Sequence, residues 1–244
     1  MRLDHKLVDL KMVKTRSQAT DYIKRGLVLV NGQMITKPGH IVKPADFLQI
    51  ETKVRFVSRG GEKLEQALED FHIDLNGKIV IDIGSSTGGF TDCSLKRGAA
   101  KVFAYDVGKD QMDPTLKNDS RVELYEETNI LDVELPPADG CFIDVSFTSI
   151  KPILRHLQGF KGFILALIKP QFEIGPHAGV VKDIKKHRQA LASVLGEMIA
   201  LGFHPQGLKK AALLGKKGNQ EYMCYLLPDI TSNKTIDEWI GDVL

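Results

Sequence analysis

Little in this sequence points to disulfide bonds, to a metal site or to a membrane. Its three cysteines are far apart and form no Cys-x-x-Cys pair, so we expect neither a disulfide framework nor a zinc site. The seven histidines form no His-Glu-x-x-His pattern. The longest apolar run, residues 163–168, is far too short to span a bilayer, and no apolar segment of a secretory signal follows the first basic residues. We therefore expect a cytoplasmic protein with no metal ion and no membrane partner.

A glycine-rich segment lacks the motif residues of two common nucleotide-binding sites. Residues 82–90 read Asp-Ile-Gly-Ser-Ser-Thr-Gly-Gly-Phe directly after a short apolar run. The middle glycine of the Gly-x-Gly-x-x-Gly dinucleotide motif is missing, and so is the Gly-Lys-Ser/Thr ending of a P-loop. What remains is a strand followed by a turn that lets a ligand approach the backbone. This pattern favours S-adenosylmethionine over NAD or ATP.

Charge is distributed unevenly along the 244 residues. Residues 1–58 contain 11 Lys and Arg against 5 Asp and Glu, whereas the remainder contains 22 against 26. A small basic region joined to a mildly acidic one is typical of a nucleic-acid-binding module attached to another domain.

The basic region has the pattern of a small α+β module. Leu3, Leu7 and Leu10 have helical spacing, and a capping box at residues 15–18 predicts a second helix that ends at Gly26. An Asn-Gly pair between the apolar runs 27–30 and 33–35 predicts a hairpin, and residues 47–50 predict a further strand.

From residue 78 onward, predicted strands and helices alternate. This order favours a seven-stranded, mostly parallel α/β sheet that is doubly wound, with helices on both faces. The predicted helices include 89–97, 148–156 and 183–200, and the predicted strands are 79–83, 102–105, 122–125, 140–143, 163–168, one near 208–213, and 222–227.

Polar residues follow three of these strands where a cofactor would bind. Asp82 closes the first, and Asp106 ends the second at a distance from Gly84 that suits hydrogen bonds to ribose hydroxyls. Asn129 follows the third strand, where its amide could reach an adenine edge or serve only the turn.

Charged residues at other strand ends form a second constellation. Asp144 ends the fourth strand and Lys169 ends the fifth, where a lysine would be buried at a cost unless a carboxylate lies beside it. Glu221 opens the last strand, and Lys63 precedes the first. A purely structural ion pair is the alternative interpretation.

Two resemblances emerge from these residues. The N-terminal module, with its Arg2-Leu-Asp4 start and its Asn31-Gly32 hairpin, resembles the S4 RNA-binding domain. Lys63, Asp144, Lys169 and Glu221 match the Lys-Asp-Lys-Glu tetrad of the FtsJ/RrmJ-like ribose 2′-O-methyltransferases. With the strings at 58–64, 144–147, 169–173 and 179–183, the whole chain is similar to the TlyA, or hemolysin A, family.

The resemblance implies domain limits, a cofactor and site residues. It implies an S4 domain at 1–52, a linker at 53–58 and a Rossmann-like class I methyltransferase domain at 59–244, which methylates a cytidine 2′-hydroxyl of ribosomal RNA. The implied partners are ribosomal RNA and ribosomal subunits. The implied RNA contacts are Lys14, Arg16, Lys24, Arg25 and Lys37. The implied S-adenosylmethionine contacts are Asp82, Gly84, Ser85, Ser86, Thr87, Gly88, Gly89, Phe90, Asp106, Val107, Asn129, Ile130 and Asp144.

The tetrad also carries a mechanistic expectation. Lys169 would act on the ribose hydroxyl, Asp144 and Glu221 would hold its ammonium group, and Lys63 would orient the acceptor nucleotide. Burial and Lys63 favour a neutral amine at Lys169 and hence a general base, whereas the two acids favour a charged group that only orients the hydroxyl.

Rival functions remain open. One is an RNA-binding or ribosome-assembly factor with an inactive methyltransferase fold, and another is a membrane-lytic hemolysin. A base or protein methyltransferase would usually carry an Asn/Asp-Pro-Pro-aromatic or cysteine motif after the fourth strand, where this chain has Asp144-Val-Ser-Phe147. The segment 174–178 departs from the family pattern, since it is short and contains Pro176 and His177.

Overall fold

The structure, a computed structural model, describes residues 1–13, 15–51, 55–175, 179–215 and 217–244. The chain forms two compact units, residues 1–55 and 56–244. The assignment of 53–58 to a linker, part of which lies outside the described ranges, stays a prediction.

The small unit packs two helices on a three-stranded antiparallel sheet of order β2-β1-β3. Leu3, Leu7, Ala19 and Ile23 on the helices and Val28 on the sheet are fully buried. The predicted hairpin turn forms because Asn31 and Gly32 both adopt positive φ, of 51° and 80°. The elements are α1 (Leu3–Asp9), α2 (Arg16–Lys24), β1 (Val28–Val30), β2 (Gln33–Met34) and β3 (Leu48–Ile50).

The larger unit is built on one seven-stranded sheet of order β6-β5-β4-β7-β8-β10-β9. The five strands from β6 to β8 are parallel, and β10 is antiparallel to both of its neighbours. The mostly parallel α/β prediction is therefore confirmed. The strands are β4 (Ile79–Ile83), β5 (Lys101–Tyr105), β6 (Val122–Tyr125), β7 (Gly140–Ile143), β8 (Phe163–Ile168), β9 (Phe203–Lys210) and β10 (Tyr222–Pro228).

Helices cover both faces of this sheet, as predicted. Alternate residues of β8 enter two separate hydrophobic cores, Ile164 on one face and Leu165 on the other. The core that contains Leu165 includes side chains of α3 (Arg59–Asp70), α4 (Gly89–Lys96) and α5 (Pro114–Lys117). The opposite core includes side chains of α6 (Lys151–His156), α8 (Ile184–Ala200) and α9 (Ile236–Gly241), and the single turn α7 (Pro170–Glu173) follows β8.

Two predicted boundaries are wrong. The strand predicted near 208–213 instead spans Phe203–Lys210. Pro205 does not interrupt it because β9 is an edge strand, and Gly207 leaves room for the ring of Phe71. The helix predicted from residue 148 begins at Lys151. The Glu173 carboxylate accepts the Ser149 hydroxyl at 2.6 Å and the Ile150 backbone N–H at 2.9 Å, which holds the residues just before Lys151 outside the helix.

None of the helices in the described parts of the chain has the length and apolar character needed to cross a membrane.

Candidate active site

The loop between β4 and α4 turns sharply at two glycines of the predicted cofactor motif. Gly84 and Gly88 have φ values of 85° and 88°, which favour glycine. A Cβ on Gly84 would lie only 2.7 Å from the carbonyl oxygen of Asp144. The glycine loop therefore lies at the carboxyl ends of β4 and β7, the edge where open α/β sheets bind ligands.

Asp106, directly after β5, fixes the shape of this loop. Its Oδ2 accepts the Ser86 N–H at 2.8 Å and its Oδ1 accepts the Gly108 N–H at 2.6 Å. Gln111 Nε2 lies 3.4 Å from Oδ1 as a third donor. Since a carboxylate offers about four acceptor positions, Asp106 can hold the loop and still accept a ligand hydroxyl.

Asp82 is fully buried beneath the same loop. Its Oδ2 accepts the Thr91 hydroxyl at 2.7 Å, whereas its Oδ1 has no hydrogen-bond partner among the described residues. Burial, and to a lesser extent the charges of Asp144 and Asp106, raises the pKa of Asp82 to about 7, against the opposing effect of Thr91. The buried Ser85 hydroxyl likewise lacks a partner within the described structure. These two polar atoms are suited to bind a ligand.

The other predicted cofactor contacts differ in their surroundings. Asn129 accepts the Leu131 N–H at 3.2 Å and so caps the short 3-10 helix Ile130–Asp132. Val107 is exposed at the sheet edge, and Ile130 is buried. The Phe90 side chain packs against Phe142 in the core, so only its backbone faces the loop. Thr87 is exposed, and Gly89 begins α4.

The four predicted tetrad residues form two ion pairs. Lys63 Nζ lies 2.5 Å from Glu221 Oε2, and both side chains are buried. Lys169 Nζ lies 2.6 Å from Asp144 Oδ1 at the neighbouring ends of β8 and β7. We expected Glu221 to bind the ammonium group of Lys169, but it binds that of Lys63 instead. Gln171 is a further partner of Glu221, with 3.3 Å between Nε2 and Oε1.

Lys63 reaches this site because α3 packs closely on the glycine loop. A Cβ on Gly61 would lie 2.9 Å from the Gly89 carbonyl oxygen, and one on Gly89 would lie 2.2 Å from the Ser58 hydroxyl. The Ser-Arg-Gly-Gly start of α3 and the Gly-Gly of the motif therefore let two helix N-termini touch. This contact fixes the start of α3, and Lys63 begins the second turn of that helix.

Two residues beside Lys169 were not predicted as site residues. Ser146 Oγ lies 3.0 Å from Lys169 Nζ, which makes it the second described partner of that ammonium group. Phe147 is 87% exposed despite its size, and its ring centroid lies 5.6 Å from that of Phe172. The sequence signal for both residues was their position, since Ser146 and Phe147 follow closely after the strand-end Asp144.

A buried polar network supports the strand end that carries Glu221. Asn219 Oδ1 accepts the Val181 N–H at 2.8 Å, and His187 Nε2 donates to the Val181 carbonyl oxygen at 2.8 Å. His187 Nδ1 is then the acceptor for the Tyr222 hydroxyl at 2.8 Å. This network ties residues 179–183 and α8 to the start of β10.

Among the residues that the structure describes, no three His, Cys, Asp or Glu side chains come together in a way that could hold a metal ion.

The small unit exposes a basic groove on α1 and α2. Buried Asp4 accepts from Arg2 and Arg16 at 3.0 and 3.1 Å, which holds the pKa of Asp4 well below its usual range. Both arginine side chains remain half-exposed, and Ser17, Thr20, Lys24 and Pro38 complete the groove.

The other predicted RNA contacts lie elsewhere in this unit. Lys37 is exposed next to the groove residue Pro38. Arg25 is paired with Asp21 at 3.4 Å and its side chain is only 13% exposed. Lys14 lies outside the described residues.

Comparison with known protein families assigns a family to each unit. Residues 56–227 match the FtsJ-like methyltransferase family, and residues 1–48 match the S4 domain family.

Similar proteins cover the chain almost from end to end. It is 38% identical to hemolysin A of Brachyspira hyodysenteriae over 93% of this chain and 100% of that protein. It is also 38% identical to the 16S/23S rRNA (cytidine-2′-O)-methyltransferase TlyA of Mycobacterium tuberculosis, over 92% and 89%. Among solved structures, a candidate hemolysin of Streptococcus thermophilus superposes with a TM-score of 0.76 at 34% identity, over 99% of this chain and 94% of the other.

Proposed function

Because this chain belongs to the FtsJ-like methyltransferase family and carries an S4 domain, we propose that it methylates ribosomal RNA. The reaction is methyl transfer from S-adenosylmethionine to the 2′-hydroxyl of a cytidine ribose. The Mycobacterium tuberculosis relative is a 16S/23S rRNA (cytidine-2′-O)-methyltransferase, which supports this choice of substrate.

The observation that carries the proposal is the pair of ion pairs at one sheet edge. Lys63 with Glu221 and Lys169 with Asp144 lie beside the glycine loop, although the four residues are spread over 158 positions of sequence. A buried lysine on α3 and another at the end of β8 are costly unless they serve a purpose beyond packing. An RNA-binding factor with a catalytically inactive methyltransferase fold would not need these buried lysines.

The residues of the glycine loop fit the cofactor. Asp82 Oδ1 and Ser85 Oγ, which have no partner among the described residues, belong to the end of β4 and to the loop that follows it, whose glycines leave no room for side chains. Asp106 has acceptor capacity for ribose hydroxyls. S-adenosylmethionine, when bound, supplies an activated methyl group on a sulfonium centre.

Lys169 is placed to act on the acceptor hydroxyl. An ammonium group has three N–H donors, and Asp144 and Ser146 account for two of them. The third is free to bind the 2′-oxygen and to fix its direction of attack, since positioning alone supplies much of the rate enhancement in such a transfer. If Lys169 is neutral, its lone pair takes the hydroxyl proton as a general base.

Neighbouring side chains suit an RNA acceptor. The exposed Phe147 ring next to Ser146 offers a surface on which an unstacked base can stack. The Lys63–Glu221 pair would orient the nucleotide. In the small unit, Arg16, Lys24 and Lys37 would bind RNA phosphates, with Arg2 held beside Arg16 by Asp4.

A transfer assay with a matched pair of variants tests the proposal. The wild-type protein is incubated with methyl-tritiated S-adenosylmethionine and ribosomal RNA transcribed in vitro, and label in the RNA is counted. Lys169→Ala should lose transfer by a factor of about 10² to 10⁴ and still be stabilised thermally by S-adenosylmethionine. Lys161→Ala, which removes an exposed lysine from the far end of β8, should transfer normally. Absence of label with the wild-type protein, or normal transfer by Lys169→Ala, would refute the proposal.

A further inference from the structure

The two halves of the large sheet carry opposite charge. The half that contains β5 and β6, residues 101–139, has four Lys and Arg against ten Asp and Glu. The half that contains α8, β9 and β10, residues 179–228, has eight against three. The strands that carry the glycine loop, Asp144 and Lys169 lie between these halves. The candidate active site therefore lies at the boundary between an acidic and a basic surface.

The cations of the two halves also differ in their partners. In the acidic half every Lys and Arg forms an ion pair with Asp or Glu, namely Lys101, Lys109, Lys117 and Arg121. In the basic half Arg188 pairs with Asp237. Lys182, Lys185, Lys186, Lys210 and Lys217 are exposed and form no ion pair with any described residue. The positive charge of this half is thus left for a partner outside the chain.

The fold brings these five lysines to the edge of the site. Lys210 ends β9 opposite Tyr222, the residue after Glu221, and lies on the same sheet face as buried Leu208. That face is covered by α8, whose His187 binds the Tyr222 hydroxyl. Lys182 follows Val181, which is tied to Asn219, and Lys217 lies in the same β9–β10 hairpin as Asn219. We call Lys182, Lys185, Lys186, Lys210 and Lys217 the basic rim.

We infer that the basic rim binds the phosphates of the RNA segment that carries the acceptor nucleotide. The inference rests on the proposed function and extends it to a second RNA-binding surface, in addition to the S4 domain. The acidic half would then remain on the side of the cationic methyl donor. RNA held at one side of Glu221 and donor held at the other would meet at Lys169.

Salt-dependent RNA binding by the full-length protein tests the inference. The probe is ribosomal RNA transcribed in vitro, and the affinity is measured between about 50 and 200 mM salt. The rim variant is Lys182→Gln/Lys210→Gln/Lys217→Gln. The control variant, Lys109→Gln/Lys161→Gln/Lys234→Gln, makes the same change in net charge at exposed lysines outside the rim.

The rim variant should bind at least about tenfold more weakly at 50 mM salt. Its plot of log affinity against log salt should be less steep by about one for each lysine that contacts a phosphate. The control should stay within about twofold of the wild-type protein, and replacing the same three rim lysines by arginine should restore binding.

Equal slopes for the rim and control variants would overturn the inference. It would also be overturned if the rim variant kept its RNA slope and instead lost binding to phosphatidylglycerol vesicles. Because binding needs no methyl transfer, these results stand whether or not the wild-type protein transfers label. A failed transfer assay would refute the proposed function, and only the binding slopes decide the role of the rim.

Discussion

The two units of this protein hold their charged residues in opposite ways. In the small unit one buried carboxylate, Asp4, holds two arginines whose side chains are 47% and 58% exposed, so the cations face water. In the large unit Lys63 and Lys169 are both buried and each is paired with an acid. Exposed cations suit the binding of a phosphate backbone by charge and shape. Buried pairs fix side-chain positions for chemistry.

Breaking the buried pair should give the largest effect on stability. Lys63→Met leaves Glu221 buried without its cation and should lower the free energy of unfolding by about 3–5 kcal/mol. The double variant Lys63→Met/Glu221→Leu should recover most of that loss and remain inactive. Urea denaturation and the transfer assay measure the two properties. A double variant as unstable as the single one would show that the pair is needed for folding itself.

The buried carboxyl of Asp82 should make stability depend on pH. Its pKa of about 7 in the folded protein exceeds the ordinary value of 3.8, so the folded chain keeps a proton that the unfolded chain releases. The stabilising contribution is complete below pH 4 and is lost as the pH rises towards 7. Between pH 5 and pH 8 the free energy of unfolding should fall by about 3 kcal/mol.

The variant Asp82→Asn provides the comparison for this pH effect. The variant lacks the titrating carboxyl group, so its free energy of unfolding should not show the fall between pH 5 and pH 8 that is due to Asp82. Urea denaturation at pH 5 and pH 8 measures it, and an equal decline in both proteins would argue against a neutral Asp82.

Charge reversal on the small unit should affect RNA and leave the cofactor alone. Arg16→Glu/Lys24→Glu should weaken RNA binding by at least about tenfold and reduce its salt slope by about two. Lys11→Glu/Lys43→Glu makes the same charge change at exposed lysines outside the groove and should have a much smaller effect. Thermal stabilisation by S-adenosylmethionine should be unchanged in both. An unaltered RNA affinity in the first variant would count against the assignment of the groove.

Removing the neutral partner of Lys169 should have the smallest effect. Ser146→Ala leaves Asp144 in place but frees the ammonium group to rotate, so kcat should fall by about tenfold, about 1.4 kcal/mol, with the KM for S-adenosylmethionine unchanged. Ser146→Thr retains the hydroxyl and should keep most of the activity. If the alanine variant has a normal kcat and pH profile, Ser146 does not position Lys169.

The parts of the fold that the sequence could predict are those with strong local patterns. β4, β7 and β8 are apolar runs with a polar residue at the end, so both the strands and the edge that carries Asp82, Asp144 and Lys169 followed from the pattern. β9 was predicted poorly because Pro205 and Gly207 interrupt its pattern, and both are explained only by its edge position and its contact with Phe71.

The partners within the site could not be predicted in the same way. That Glu221 binds Lys63 depends on where antiparallel β10 enters the sheet and on the glycine contact between α3 and α4. Ser146 and Phe147 lie in a loop with no periodic pattern, so their position closely after the strand-end Asp144 was the one sequence signal for them. For Asn129 the sequence left a ligand contact and a turn as alternatives; its side-chain oxygen caps a turn, and a ligand contact by its amide stays a prediction.

The central claim is that the Lys169 site methylates a ribose hydroxyl of RNA. The most direct test maps 2′-O-methyl groups on ribosomal RNA treated with S-adenosylmethionine and either the wild-type or the Lys169→Ala protein, since a methylated ribose resists alkaline cleavage. We predict a discrete resistant position at a cytidine that appears only with the wild-type protein. A methyl group on a base, or the same resistant position with both proteins, would contradict the account.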